Sequence, residues 1–133
     1  LLGACGTPTT YVARTFDVEP NNRLTVGAQL EAGDVLQVRA ERLDAGARLR
    51  LHRCGPGCAT TDLVAEWEAR HFAGGAEAAQ RVVEPGEYYF WLEDTTLPSK
   101  QSAIQVGALE ATADGVAIAF GAHTRVIVRV GRG

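Results

Sequence analysis

Apolar and polar residues alternate along most of the chain, and short turn clusters interrupt the alternation. Phe16 and Val18 precede the cluster Glu19-Pro20-Asn21-Asn22, after which Leu24, Val26, Ala28 and Leu30 put every second side chain on one face. Glu31-Ala32-Gly33-Asp34 then turns the chain into Leu36, Val38 and Ala40, with Gln37, Arg39 and Glu41 opposite. Leu49 and Leu51 alternate with arginines, and Arg48, Arg50 and Arg53 read as an outward face that discourages edge-to-edge pairing. After the turn Glu84-Pro85-Gly86-Glu87, Tyr88, Phe90 and Leu92 face one way while Tyr89 and Trp91 face the other. Ile104 with Val106, Val116 with Ile118 and Phe120, and Val126 with Val128 and Val130 complete the series. Turns fall at Asp114-Gly115 and at Gly121-Ala122-His123, the former a good local hairpin signal.

A period of two sends successive side chains to opposite faces of a sheet, so each run predicts a half-buried antiparallel strand. The runs predict about eight to ten short strands, hence an all-β fold: an antiparallel two-sheet β-sandwich, jelly-roll-like. Residues 1–15 read as an N-terminal tether or edge segment and residues 16–133 as the sandwich domain. Residues 61–73 fit two patterns. Leu63, Ala65, Trp67, Ala69 and His71 alternate as a strand would, while Thr61 as a cap and Gly74-Gly75 as a stop would suit a helix. The strand is the favoured reading, because its neighbours in sequence are strands and consecutive elements usually pair.

Composition narrows the class. With 133 residues the chain is of one-domain size, and 46% hydrophobic residues supply a core. Thirteen basic against 16 acidic side chains, a net charge of −3, exclude the clustered basic excess of a nucleic-acid binder. No apolar run approaches the roughly 18 residues of a membrane-spanning helix.

The cysteines speak about compartment. Cys54-Gly55-Pro56-Gly57-Cys58 sets two thiols across a sharply curved turn, and in an oxidising compartment the expected product is a Cys54–Cys58 disulfide. Free thiols, or a metal site joined by His52 and His71, are the alternatives, although this spacing is not a standard zinc pattern. Cys5 is then the odd cysteine. Leu2-Gly3-Ala4-Cys5 resembles a bacterial lipobox, in which small residues precede the cysteine that carries the lipid. That resemblance makes Cys5 a candidate lipid anchor, the alternative being a buried thiol. Together these features place the protein outside the cytoplasm: periplasm, outer membrane or cell surface.

Catalytic signatures are sparse. His52, His71 and His123 are scattered, and no glycine-flanked serine elbow or phosphate-binding glycine loop occurs. Paired carboxylates can hydrolyse glycosides. Glu66 and Glu68, with Asp62 near, and Glu93 with Asp94 are the candidates, and the bland reading is the solvated face of a strand. A loop calcium site at Glu93, Asp94 and Asp62 also stays open. The expectation is a protein without enzymatic activity, cofactor or resident metal. Tyr89, Trp91 and Trp67 are the candidate partner-binding residues, since exposed large aromatics mark contact surfaces, unless another segment covers them.

Two stretches carry a family resemblance: Leu30-Glu31-Ala32-Gly33-Asp34, and Glu84-Pro85-Gly86-Glu87-Tyr88-Tyr89-Phe90-Trp91-Leu92. With the strands around them, over roughly residues 16–93, they resemble the bacterial pre-peptidase C-terminal family of small β-sandwich modules. In that family a glycine-aspartate turn precedes a core strand, and a glycine two residues before a tyrosine pair opens a late one. The region Ala45-Gly46-Ala47-Arg48-Leu49-Arg50-Leu51 lacks the aspartates that the family carries there, a departure that counts against the calcium or collagen binding of some members. The resemblance implies a non-catalytic accessory or adhesion module of a secreted bacterial protein, its partner a protein or glycan of the cell envelope. The rival expectations are an accessory domain of a secreted hydrolase using the acidic residues, and a structural envelope subunit whose N-terminal segment adds a strand to a neighbour.

Overall fold

Alternation in the sequence becomes a pair of facing sheets because each strand has one greasy side and only another such side can cover it. The computed structural model describes residues 9–18, 21–55, 58, 60–94, 103–104, 106–112, 115–120 and 124–131; of these, 14–18, 21–24, 94, 103–104 and 106–107 are described by their backbone alone. In chain order the elements are β1 (Tyr11–Val18), β2 (Asn21–Leu30), β3 (Val35–Arg42), β4 (Ala47–Cys54) and β5 (Thr61–Trp67). A 3-10 segment (Ala69–Gly75) follows, then β6 (Ala78–Arg81), β7 (Gly86–Asp94), the two-residue β8 (Ala103–Ile104), β9 (Val106–Ala111), β10 (Val116–Phe120) and β11 (Thr124–Gly131). One sheet has the order β1-β2-β7-β4-β5, with β8 also on β7, and the other has the order β6-β3-β11-β10-β9. Every pairing is antiparallel. This is the all-β two-sheet sandwich that the alternation predicts.

The core lies where the patterned faces meet. From the first sheet come Val26, Ala28 and Leu30, Leu49 and Leu51, and Tyr88, Phe90 and Leu92; from the second come Leu36, Val38, Val116, Ile118, Phe120, Val126 and Val128. Tyr88 buries its ring and donates its hydroxyl to the Glu84 carbonyl at 2.5 Å, which satisfies the one polar atom this core tyrosine carries.

The Gly-Asp turn has a physical role. Gly33 adopts φ 94°, a left-handed conformation that favours glycine. The buried Asp34 carboxylate accepts the Glu31 amide at 2.9 Å, closing the turn. The chain leaving β6 then ties onto it, as the Gly33 amide donates to Val82 and the Val82 amide to Asp34, both at 2.8 Å.

Residues 61–73 divide between the two readings. Thr61 to Trp67 is a strand, and the 3-10 segment begins at Ala69. The register against β4 slips between Leu51 and His52, leaving Val64 as the extra residue of a bulge. The bulge breaks the simple alternation: Leu63 stays 56% exposed, whereas Ala65 and Trp67 turn into the core. Arg53 is a second correction. It shares its side of β4 with Leu49 and Leu51 and does not join Arg48 and Arg50 outside. Its guanidinium donates to the Pro85 carbonyl at 3.2 and 2.8 Å from the end of the sheet. β1 begins at Tyr11, inside the segment read as tether or edge, and forms one edge of the first sheet.

β2 and β7 approach so closely at Gly27 that a Cβ there would overlap the Tyr88 carbonyl. The Gly27→Ala variant is therefore expected to lose about 3 kcal/mol or more of stability, the upper end of overpacking costs. Urea denaturation measures it, and a variant as stable as the parent would contradict this approach of the strands.

Candidate functional site

β7 lies between β2 and β4, so its outward residues occupy the middle of the first sheet's outer face. Its register with β4 sets Tyr89 opposite His52, Trp91 opposite Arg50 and Glu93 opposite Arg48. On the far side of β4, Glu66 stands opposite Arg50 and Leu63 opposite His52. Arg50 is thus caught between two carboxylates, 2.6 Å from Glu66 and 2.9 Å from Glu93. Diagonal to that pair, the His52 and Trp91 rings stack with centroids 4.3 Å apart and planes 25° apart. The result is a half-buried tryptophan stacked on an imidazole, beside an arginine bridging two acids.

The three aromatic candidates separate. Trp91 remains partly exposed on this face. Tyr89 points to the same face but is 0% exposed, a correction to its expected exposure. Val12 of β1, the sulfurs of Cys54 and Cys58, and Trp91 cover its ring, and its hydroxyl donates to the Glu87 carboxylate. Trp67 faces the opposite way, into the sandwich, at 8% exposure. Its inward turn follows from the bulge at Val64, which alternation alone does not reveal. Tyr89 is covered partly because β1 begins before the strand pattern predicts.

Cys54 and Cys58 are joined as a disulfide. Among the described residues, the group of three potential metal ligands is Cys54, Cys58 and Glu87, with ligand atoms within 4.8 Å of one another. Its sulfurs are bonded to each other and offer no thiolate, so in this oxidised form the group is not a metal site. The alternative with His52 and His71 is not assembled either: His52 lies on Trp91, and the His71 Nδ1 accepts the Glu68 amide at 2.9 Å. Cys5 and His123 lie outside the described residues.

Of the acidic candidates, Glu66 and Glu93 meet at Arg50, whereas Asp62 and Glu68 lie elsewhere. Asp62 stands opposite Arg53 and Glu93 opposite Arg48, five residues apart along β4, a separation of roughly 17 Å at the usual strand rise. No single calcium ion reaches both, which corrects the loop-site expectation for Asp62 with Glu93 and Asp94. Glu68 sits past the end of β5 and pairs with Arg70 at 3.3 Å, away from the Glu66–Arg50–Glu93 bridge.

A groove of about 240 Å³ opens at one side of the sandwich, where β5 of one sheet faces β6 of the other. Asp62 and Val64 form one wall, Arg81 and Val83 the other, and Tyr88 and Arg53 lie at its base. Burial pushes the Tyr88 phenol above its ordinary pKa of 10.0; the Arg53 cation partly opposes the rise and the charge of the Glu84 carboxylate adds to it.

No protein-family model, curated protein or solved structure matches this chain.

Because the unfolded phenol ionises first, the Tyr88 contribution is fully present below about pH 10 and is lost as pH rises through the higher folded value. Urea midpoints between about pH 8 and about pH 11 should fall for the parent and fall less for Tyr88→Phe, which starts about 1 kcal/mol lower for its missing hydrogen bond. The Cys54→Ser/Cys58→Ser variant is expected to lose about 2 kcal/mol, since so short a loop restricts the unfolded chain little. Denaturation under non-reducing conditions checks this.

Proposed function

We propose that this chain is a non-catalytic binding or assembly module that works outside the cytoplasm and meets a protein or glycan of the cell envelope through the outer face of its first sheet. The carrying observation is the Trp91–His52 stack beside the Arg50 bridge. A large aromatic held in one orientation, with charged groups at its rim, matches the anatomy of contact surfaces, where Trp and Arg anchors dominate. Orientation by neighbours also lowers the entropy lost on binding.

Compartment and type rest on further support. A Cys54–Cys58 disulfide persists in oxidising surroundings and is rare in the reducing cytosol. The Leu2-Gly3-Ala4-Cys5 pattern favours a lipid anchor at Cys5, and the Gly33-Asp34 and Gly86-to-Tyr89 stretches favour a pre-peptidase C-terminal type of module.

The test uses purified peptidoglycan and a detergent extract of bacterial envelope proteins as probes. Parent protein should be retained on one of them, and Trp91→Ala should lose at least about tenfold in affinity, a typical hot-spot effect. Arg50→Ala, which removes the charged rim and leaves the tryptophan, should weaken retention less. Retention unchanged in a folded Trp91→Ala protein would rule this surface out.

A further inference from the structure

Among the described residues, β1 and β5 end the strand order of the first sheet, where the two-residue β8 also pairs β7, and β6 and β9 end that of the second. An edge strand exposes backbone donors and acceptors, and proteins guard such edges with bulges, charges or proline. β5 carries the bulge at Val64 together with Asp62 and Glu66. The register of β9 against β10 is broken between Ala119 and Phe120. β6 has no bulge, and its one charge, Arg81, stands at the end of the strand. It pairs with β3 in unbroken register from Val38↔Ala78 to Val35↔Arg81 and contains no proline. The space beside it is open, since the groove of about 240 Å³ runs along Gln80, Arg81 and Val83. Val83, at 76%, is the most exposed of the large apolar side chains described.

The sequence of this edge is complementary to itself. Glu77-Ala78-Ala79-Gln80-Arg81, set antiparallel to a second copy with Ala79 facing Ala79 across a two-fold axis, brings each Glu77 opposite the other copy's Arg81. Ala78 then meets Gln80. Ala78 and Gln80 lie on the inner side of the strand, opposite Val38 and Leu36, so Ala79 and Arg81 lie on the outer side. Arg129, also on that outer face, holds the exposed Glu77 carboxylate at 3.1 Å. Small residues at the axis let the backbones approach, and opposite charges directly across a strand pair are stabilising.

We infer that β6 is a homodimer edge: two copies of this chain pair antiparallel through Glu77–Arg81 and join their five-stranded sheets into one. The contact is isologous, as a two-fold axis requires. It lies on the sheet that does not carry Trp91, so it stands or falls apart from the binding surface proposed above. So short a ladder makes a weak dimer that dissociates on dilution.

Sedimentation over a concentration series up to about 1 mM, the range in which weak association is populated, tests this. The parent mass should rise towards twice that of the chain. Arg81→Glu and Glu77→Lys each place like charges opposite one another twice, and each variant should weaken association at least tenfold. Mixed together they should associate again, because every cross-strand pair is then of opposite sign. Ala79→Arg, which sets two cations on the axis and does not touch Glu77, should also be monomeric. Circular dichroism verifies that each variant is folded. A parent that stays monomeric throughout overturns the inference and leaves the edge to a strand of another protein. A mixture no heavier than its components, or a dimer indifferent to Arg81→Glu and Ala79→Arg, overturns it equally.

Discussion

β7 is the strand on which the first sheet depends, because it must pair on both sides while carrying five bulky residues in a row. Tyr88, Phe90 and Leu92 fill the space between the sheets, and Tyr89 and Trp91 fill the other side. Such a strand fits only where a neighbour makes room. Gly27 does so, bringing the β2 backbone against the Tyr88 carbonyl. Beyond Gly27 the Thr25 hydroxyl donates to the Phe90 carbonyl, so a side chain continues the tie between the strands. A one-residue slip of β7 would exchange its two faces and put Trp91 into the core. Register is therefore the quantity that places both the core and the candidate surface.

The open side of the sandwich shows a different solution. β5 cannot continue as a strand past Trp67, since the chain must cross to the other sheet to begin β6. The 3-10 segment makes that crossing, plugging the gap with the buried Phe72 and ending at Gly74 and Gly75, both at positive φ. The crossing leaves β6 short and the groove beside it unfilled. Edge protection is concentrated on β5, where a bulge and acidic residues coincide, and this contrast gives the β6 edge its meaning.

Surface charge is organised by strand register and less by net charge. Arg50 between Glu66 and Glu93 and Arg125 with Glu41 and Glu110 are cross-strand arrangements, and Arg129 reaches Glu77 just ahead of β6. Each exposed pair contributes little to stability by itself. Their effect is local: around Trp91 they set Arg50 between the Glu66 and Glu93 carboxylates.

Much of this was legible from residues alone. Alternation at Val26–Leu30, Leu36–Val38, Tyr88–Leu92 and Val126–Val128 identified the inward faces, because burial follows directly from a period of two. The disulfide was legible too, since a five-residue turn leaves two cysteines little choice of partner. Trp67 and Tyr89 were not. Whether Trp67 points in depends on the bulge at Val64, six positions after Cys58, which resets the register with β4, and whether Tyr89 is covered depends on Val12 and a disulfide arriving from elsewhere in the chain. The acidic residues teach the same lesson: Glu66 and Glu93, far apart in sequence, meet at Arg50, while Asp62 is carried to the other end of β4. Local pattern determined which side of each strand is apolar. Which strands become neighbours, and hence which side chains meet, is a long-range choice made only when both sheets close on one core.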